Sequence, residues 1–183
     1  MLYQRLGRID EAFGASSWAE AFEWLVARSQ ATGRPIEQVQ YWGHGRRGRA
    51  LVADDVLDAG SVAPGGRYLD RVRAVRACFG RESSDTKTEG GFWFRTCETI
   101  GGTAGHAFAR AWSDVLEQRV AGHTHVIGFW QSGLHTLRPG EAPTWPVTEG
   151  VRDAHDEAAV ALGSSPLRPN TIQCLRGTIP HGW

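Results

Sequence analysis

Apolar residues recur along this chain in two rhythms, and the alternation between them predicts the elements. Ser17-Trp18-Ala19-Glu20 has the form of a capping box, and Trp18, Phe22, Leu25 and Val26 then share one helical face. That helix should end near Thr32-Gly33, because Pro35 blocks its continuation. Ile36 to Trp42 reads as a strand running into Gly43-His44-Gly45, and Arg49 to Ala53 reads as a short strand after a glycine turn, in a hairpin excursion. Leu69, Val72, Val75 and Phe79 recur at intervals of three and four, which predicts a second helix. A polar loop from Ser83 to Gly91 precedes a strand at Phe92 to Thr96. Ile100 to Gly105 then feeds a helix through Phe108, Trp112, Val115 and Leu116. His125 to Trp130 reads as a further strand, Gln131 to Pro146 as a loop rich in Pro and Gly, and Glu149 to Leu162 as a last helix. Short strands are also expected at Leu2 to Gly7 and Thr171 to Leu175.

Helices alternating with short buried strands predict an α/β fold: a three-layer, open, mostly parallel sheet with helices on both faces. At 183 residues the simplest arrangement is a single domain, with a motif-bearing core over about 36–130 and a C-terminal loop, helix and tail over 131–183. Ligands of such sheets bind beyond the carboxyl ends of the strands. By that rule His44 and Cys97, each just past a strand, emerge on one rim.

Composition narrows the function classes. Twenty basic and 20 acidic residues give a formal net charge of zero, so nothing argues for nucleic acid or an anionic membrane as partner. Arginine supplies 19 of the 20 basic residues, scattered along the chain, which fits a GC-rich genome better than a phosphate-binding surface. The N-terminal segment has no long apolar run, and nothing approaches the ~20 apolar residues of a membrane span. The expected setting is soluble and cytoplasmic. Three widely spaced cysteines (Cys78, Cys97, Cys174) fit free thiols in a reducing compartment, and the absence of any CxxC pair argues against structural zinc.

A cysteine attacks as thiolate and needs a group that takes its proton or lowers its pKa. Cys97 is followed by a glycine-containing turn and then a helix N-terminus, whose dipole favours negative charge. Glycines beside His44 allow a sharp turn, and their N–H groups could face a developing oxyanion. Cys97 as nucleophile and His44 as general acid/base therefore form a chemically sensible dyad. Cys78 competes with Cys97, but Arg71, Arg73 and Arg76 precede it, and a buried central strand would not tolerate them.

An apolar strand ending in Gly-His-Gly (QYWGHG), an apolar strand ending in a cysteine (FWFRTCE), the helix through Phe108 and the strand HVIGFW together resemble the caspase-like cysteine peptidases. That superfamily includes caspases, metacaspases, gingipains, separase and the bacterial CHAT domains, and the likeness covers about Ile36 to Trp130. Caspases carry Gln-Ala before the cysteine and have their histidine about 50 residues upstream. Here Arg95-Thr96 precedes Cys97 and Glu98 follows it; Cys97 lies 53 residues after His44, and Cys78 lies 34 after it. The resemblance implies a caspase-hemoglobinase fold, no cofactor, no metal, and hydrolysis of a protein or peptide substrate through a thioester. His44 would be the acid/base and the Gly45 N–H would line the oxyanion hole. The loop after the first strand would lend Arg8 and Asp10 to a substrate pocket. Glu98, beside Cys97, and Gln131, Ser132, His135 and Trp145, in the loop after HVIGFW, complete the substrate-binding set.

Two other function classes compete. One is a caspase-fold module that has lost hydrolysis and serves binding or signalling, with or without a regulatory partner. The other is a metal-dependent hydrolase, since His106, His123 and His125 invite a metal reading with Cys97. Against it, His123 and His125 would flank the start of the HVIGFW strand, opposite the rim where Cys97 emerges. Most of the eight tryptophans sit at positions where core packing is expected. The run Gly101-Gly102-Thr103-Ala104-Gly105 lacks the P-loop lysine and the GxGxxG order of phosphate loops.

Overall fold

The computed structural model describes residues 7–80, 90–152 and 160–180. Its elements run in chain order as α1 (Trp18–Thr32), β1 (Gln38–Trp42), β2 (His44–Arg46), β3 (Arg49–Val52), β4 (Asp55–Asp58) and α2 (Ala59–Val62). They continue as α3 (Leu69–Arg76), β5 (Gly91–Arg95), α4 (Gly102–Leu116), β6 (Val120–His123), β7 (Trp130–Gln131), β8 (Leu134–Leu137) and β9 (Ile172–Gln173). The strand expected at Leu2 to Gly7 and most of the loop at Ser83 to Gly91 lie outside the described residues.

Local sequence accounts for the ends of α1. Ser17 is extended (φ −152°) and its hydroxyl accepts from the Glu20 N–H at 3.2 Å, which satisfies one of the first-turn donors. The Glu20 carboxylate does not close the expected box. It accepts instead from the N–H and hydroxyl of Ser16, at 2.7 and 2.6 Å. Gly33 closes the helix in the left-handed region (φ 65°), donating to the Ser29 carbonyl.

The central sheet has the order β1-β5-β6-β8. The β1–β5 and β5–β6 pairs are parallel, and β8 joins β6 antiparallel. The loop expected over Gln131 to Pro146 therefore contributes an edge strand. β2, β3 and β4 form an antiparallel meander, so the expected excursion after Gly45 is present.

All five residues of β5 are buried, as befits a central strand with both faces covered. Phe92 and Phe94 point to one face, where Trp18 and Phe22 of α1, Val72 and Val75 of α3, and Phe108 and Trp112 of α4 close over them. Phe92 meets Trp112 edge-on (centroids 5.1 Å, 78°) and Phe94 meets Phe108 likewise (5.1 Å, 63°). Each such buried ring contributes about 2–3 kcal/mol of transfer free energy. Trp93 faces the other way, with Ala121, Leu134, Ile172 and Ile179.

That second face corrects the expectation of helices on both sides. Among the described residues every helix packs on the Phe92 face, and the C-terminal segment around Ile172 and Ile179 covers the Trp93 face. The last helix expected at Glu149 to Leu162 is not seen in its described ends, where Val151 bridges Ala161 antiparallel; residues 153–159 lie outside the described part. Among the described residues no helix is long and apolar enough to cross a membrane.

Candidate active site

Two adjacent parallel strands lead to the expected pair. The last register pair between β1 and β5 is Trp42↔Arg95, and His44 and Cys97 each lie two residues beyond it. Neighbouring strands run about 4.8 Å apart, so the two residues follow adjacent strand ends. The approach continues past the strands. A Cβ on Gly45 would sit 2.8 Å from the Cys97 carbonyl oxygen and equally close to Thr96 Cβ, so only glycine fits there. His44 is exposed and Cys97 is half-buried.

The turn after Cys97 is held from both sides. Thr99 accepts from the Gly48 N–H at 2.9 Å through its carbonyl, and its hydroxyl donates to the Cys97 carbonyl at 3.2 Å. Thr96 and Thr99 hydroxyls are themselves hydrogen-bonded. The Glu98 N–H donates to the His125 carbonyl at 3.0 Å, and Ile100 N–H to the His123 carbonyl at 3.3 Å. Glu98 occupies the left-handed region (φ 42°), a conformation costing a non-glycine residue about 1–2 kcal/mol. Its carboxylate pairs with Arg47 at 3.4 Å. Backbone strain of this kind gathers at functional turns.

His123 and His125 stand elsewhere than expected. The strand is Val120–His123, so His123 ends it and His125 follows on the rim that carries Cys97. The segment HVIGFW is not a continuous strand, and Val126 and Phe129 are exposed. His123 is fully buried, donating from Nδ1 to the Ser132 carbonyl (3.2 Å) while its Nε2 accepts from the Trp93 indole (3.4 Å). Burial pushes its pKa down to about 3. Burial likewise lowers His125, where Arg168 adds to the effect, and His106. Among the described residues no three His, Cys, Asp or Glu side chains are grouped to hold a metal ion.

The sequence reading missed a polar network behind this rim. His125 Nδ1 donates to the Thr124 hydroxyl (2.9 Å), which donates to Glu149 Oε1 (2.9 Å). His135 Nε2 donates to the same oxygen at 2.7 Å. Burial alone would raise the Glu149 pKa, but the His135 and Thr124 hydrogen bonds outweigh it and hold the carboxyl below its usual range. A Cβ on Gly150 would lie 3.4 Å from His125 Nδ1. The signal was the triplet His123-Thr124-His125, but it becomes readable only once β6 is known to end at His123.

The expected pocket residues divide. Arg8 and Asp10 do line a groove of about 1000 Å³ together with His44, Tyr41 and Trp42. Glu98 lines a second cavity of about 500 Å³. The other four line neither of these two cavities. Gln131 is buried and accepts from Arg95 Nη2 at 2.8 Å. Ser132 is buried, its hydroxyl donating to the Ser165 carbonyl. His135 stacks on Trp145 (4.8 Å, 16°), and the buried Trp145 indole donates to the Ile100 carbonyl at 3.0 Å. Comparison with protein-family models, with curated proteins and with solved structures found no match to this chain.

Proposed function

We propose that the chain is a cysteine endopeptidase of the caspase-hemoglobinase type, with Cys97 as nucleophile and His44 as general acid/base. The observation that supports this reading is the equivalent position of the two residues, each two beyond the Trp42↔Arg95 pair on adjacent parallel strands. In the reaction the Cys97 thiol gives its proton to His44 and its sulfur bonds to the scissile carbonyl carbon. The oxyanion develops beside the Gly45 backbone, which lies against the Cys97 carbonyl. His44 then protonates the departing amine as the C–N bond breaks, leaving a thioester. Water, giving a proton to His44, cleaves the thioester and returns the thiol.

Hydrolysis of a fluorogenic peptide library tests this. Cys97→Ala abolishes turnover, and His44→Ala lowers it by about 10²–10⁴-fold. Cys78→Ala leaves it intact, because Cys78 follows α3, with its thiol directed to the Ala74 carbonyl (3.4 Å). Loss of turnover in Cys78→Ala with retention in Cys97→Ala refutes the assignment.

One observation favours a second reading, a caspase-like module that binds without hydrolysing. Cys97 lines neither of the two cavities above; His44 lines one and Glu98 the other. Peptide binding that survives Cys97→Ala, together with an absence of turnover in the unaltered chain, supports that reading.

A further inference from the structure

Cys97 has a second histidine near it, on the side of β5 away from β1. The pairing of β5 with β6 runs through Trp93↔Ala121. Four residues further along each chain stand Cys97 and His125. The Glu98 N–H donates to the His125 carbonyl at 3.0 Å, the bond that a parallel ladder makes when Cys97 and His125 are opposite each other. The main chains of the two residues are therefore held level, one strand spacing apart.

The His125 ring is fixed from its other side. Nδ1 donates to the Thr124 hydroxyl at 2.9 Å, and that hydroxyl donates to Glu149 Oε1, also at 2.9 Å. Glu149 is in turn held by His135 Nε2 at 2.7 Å. Glycines let this chain close around the ring: a Cβ on Gly133 would lie 2.6 Å from His125 Nδ1 and 1.9 Å from Thr124 Oγ1. With the proton on Nδ1 committed to Thr124, Nε2 carries a lone pair, and it has no hydrogen-bond partner among the described residues. His125 is buried, and burial keeps it neutral. It is thus a fixed acceptor and a poor carrier of protons. His44 is the converse: exposed, with no hydrogen bond to its ring among the described residues.

Resting on the hydrolase reading above, we propose that His125 is a further catalytic residue, whose Nε2 accepts a hydrogen bond from the water that cleaves the thioester. The water gives one proton to His44 as its oxygen bonds to the thioester carbon. Its other hydrogen stays on that oxygen, donated to Nε2. The C–S bond then breaks, and His44 returns the proton to sulfur. His125 takes up no proton in this step. It turns the oxygen lone pair toward the carbon, an orientation that an unanchored His44 ring does not impose alone. Thr124 and Glu149 act through His125 as positioning residues.

Acetyl-Ala-Ala p-nitrophenyl ester separates the two halves of the reaction. The burst of nitrophenol reads acylation of Cys97, and the steady rate reads cleavage of the thioester. His125→Asn keeps a donor for Thr124 but places nothing at the Nε2 position, whereas His125→Gln can place its amide oxygen there. His125→Asn retains the burst and slows the steady rate by about 10–100-fold, and mass spectrometry finds the acyl group accumulated on Cys97. His125→Gln recovers part of the rate. Thr124→Val, which unties the ring without altering it, slows the same step and replaces His125→Asn if circular dichroism shows that variant unfolded. An unchanged steady rate in folded His125→Asn overturns the proposal. So does a burst and a steady rate that fall in the same proportion, since a merely structural role would act on both. A burst that is absent from the unaltered chain, or equally large in Cys97→Ala, overturns the hydrolase reading and this assignment with it.

Discussion

His123 is neutral in the folded chain because burial pushes its pKa down to about 3, and that makes stability depend on pH. An unfolded histidine titrates near 6.5. Above that value neither state binds the proton, and stability is at its full value. As pH falls below about 6.5 the unfolded chain takes up a proton that the folded chain refuses, so stability declines by about 1.4 kcal/mol per unit toward pH 3. Between pH 7 and 5 the loss from His123 alone is about 2 kcal/mol. Denaturant midpoints across that range show it, and His123→Asn flattens the slope. Some slope persists, because burial lowers His125 and His106 in the same direction. A slope in His123→Asn as steep as in the unaltered chain contradicts the assignment.

At the scale of elements, the rim depends on how closely β2 approaches the turn after β5. Gly45→Ala would bring a methyl to within 2.8 Å of the Cys97 carbonyl, a backbone atom with little freedom to yield. It should cost about 1–3 kcal/mol, checked by thermal denaturation, and, under the proposed function, depress peptide turnover. Wild-type melting in Gly45→Ala would mean that β2 is not held against this turn. The positions of His44 and Cys97 were legible in the sequence because each follows an apolar run that is a real strand. Gly33 marked the end of α1 for a local reason, its left-handed φ. β6 was not legible. Its residues, Val-Ala-Gly-His, carry little strand preference, while the exposed Val126 and Phe129 that follow mimic a strand. Small residues are needed there for a tertiary reason: a Cβ on Gly122 would lie 2.8 Å from Ile100 Cγ2. That one boundary sent His123 and His125 to the wrong end of the sheet.

Across the whole molecule, Arg95 ties β5 to the C-terminal segment. It is buried, and its guanidinium lies between the Trp42 and Trp93 rings, 4.0 Å from each centroid. Nη1 donates to the Arg176 carbonyl and Nη2 to the Cys174 carbonyl, both at 2.6 Å. Gln40 joins in, donating to the Gly177 carbonyl at 2.6 Å. The apolar pattern of β5 announced that both faces are covered, but the pattern is indifferent to whether a helix or an extended segment does the covering. Arg95→Met leaves several buried acceptors without their donor and should cost about 2–4 kcal/mol, read from denaturant midpoints. It should also speed tryptic cleavage after Arg176 under native conditions. Unchanged cleavage would mean that other contacts hold the segment.

Covalent labelling tests most directly whether Cys97 and His44 act as one unit. A peptidyl acyloxymethyl ketone, which alkylates a cysteine activated by a neighbouring base, is incubated with the native chain and the adduct is mapped by mass spectrometry. One adduct is expected, on Cys97, and it is lost in His44→Ala while the fold is retained. An adduct on Cys78 or Cys174, or labelling of Cys97 that proceeds equally well without His44, contradicts the dyad.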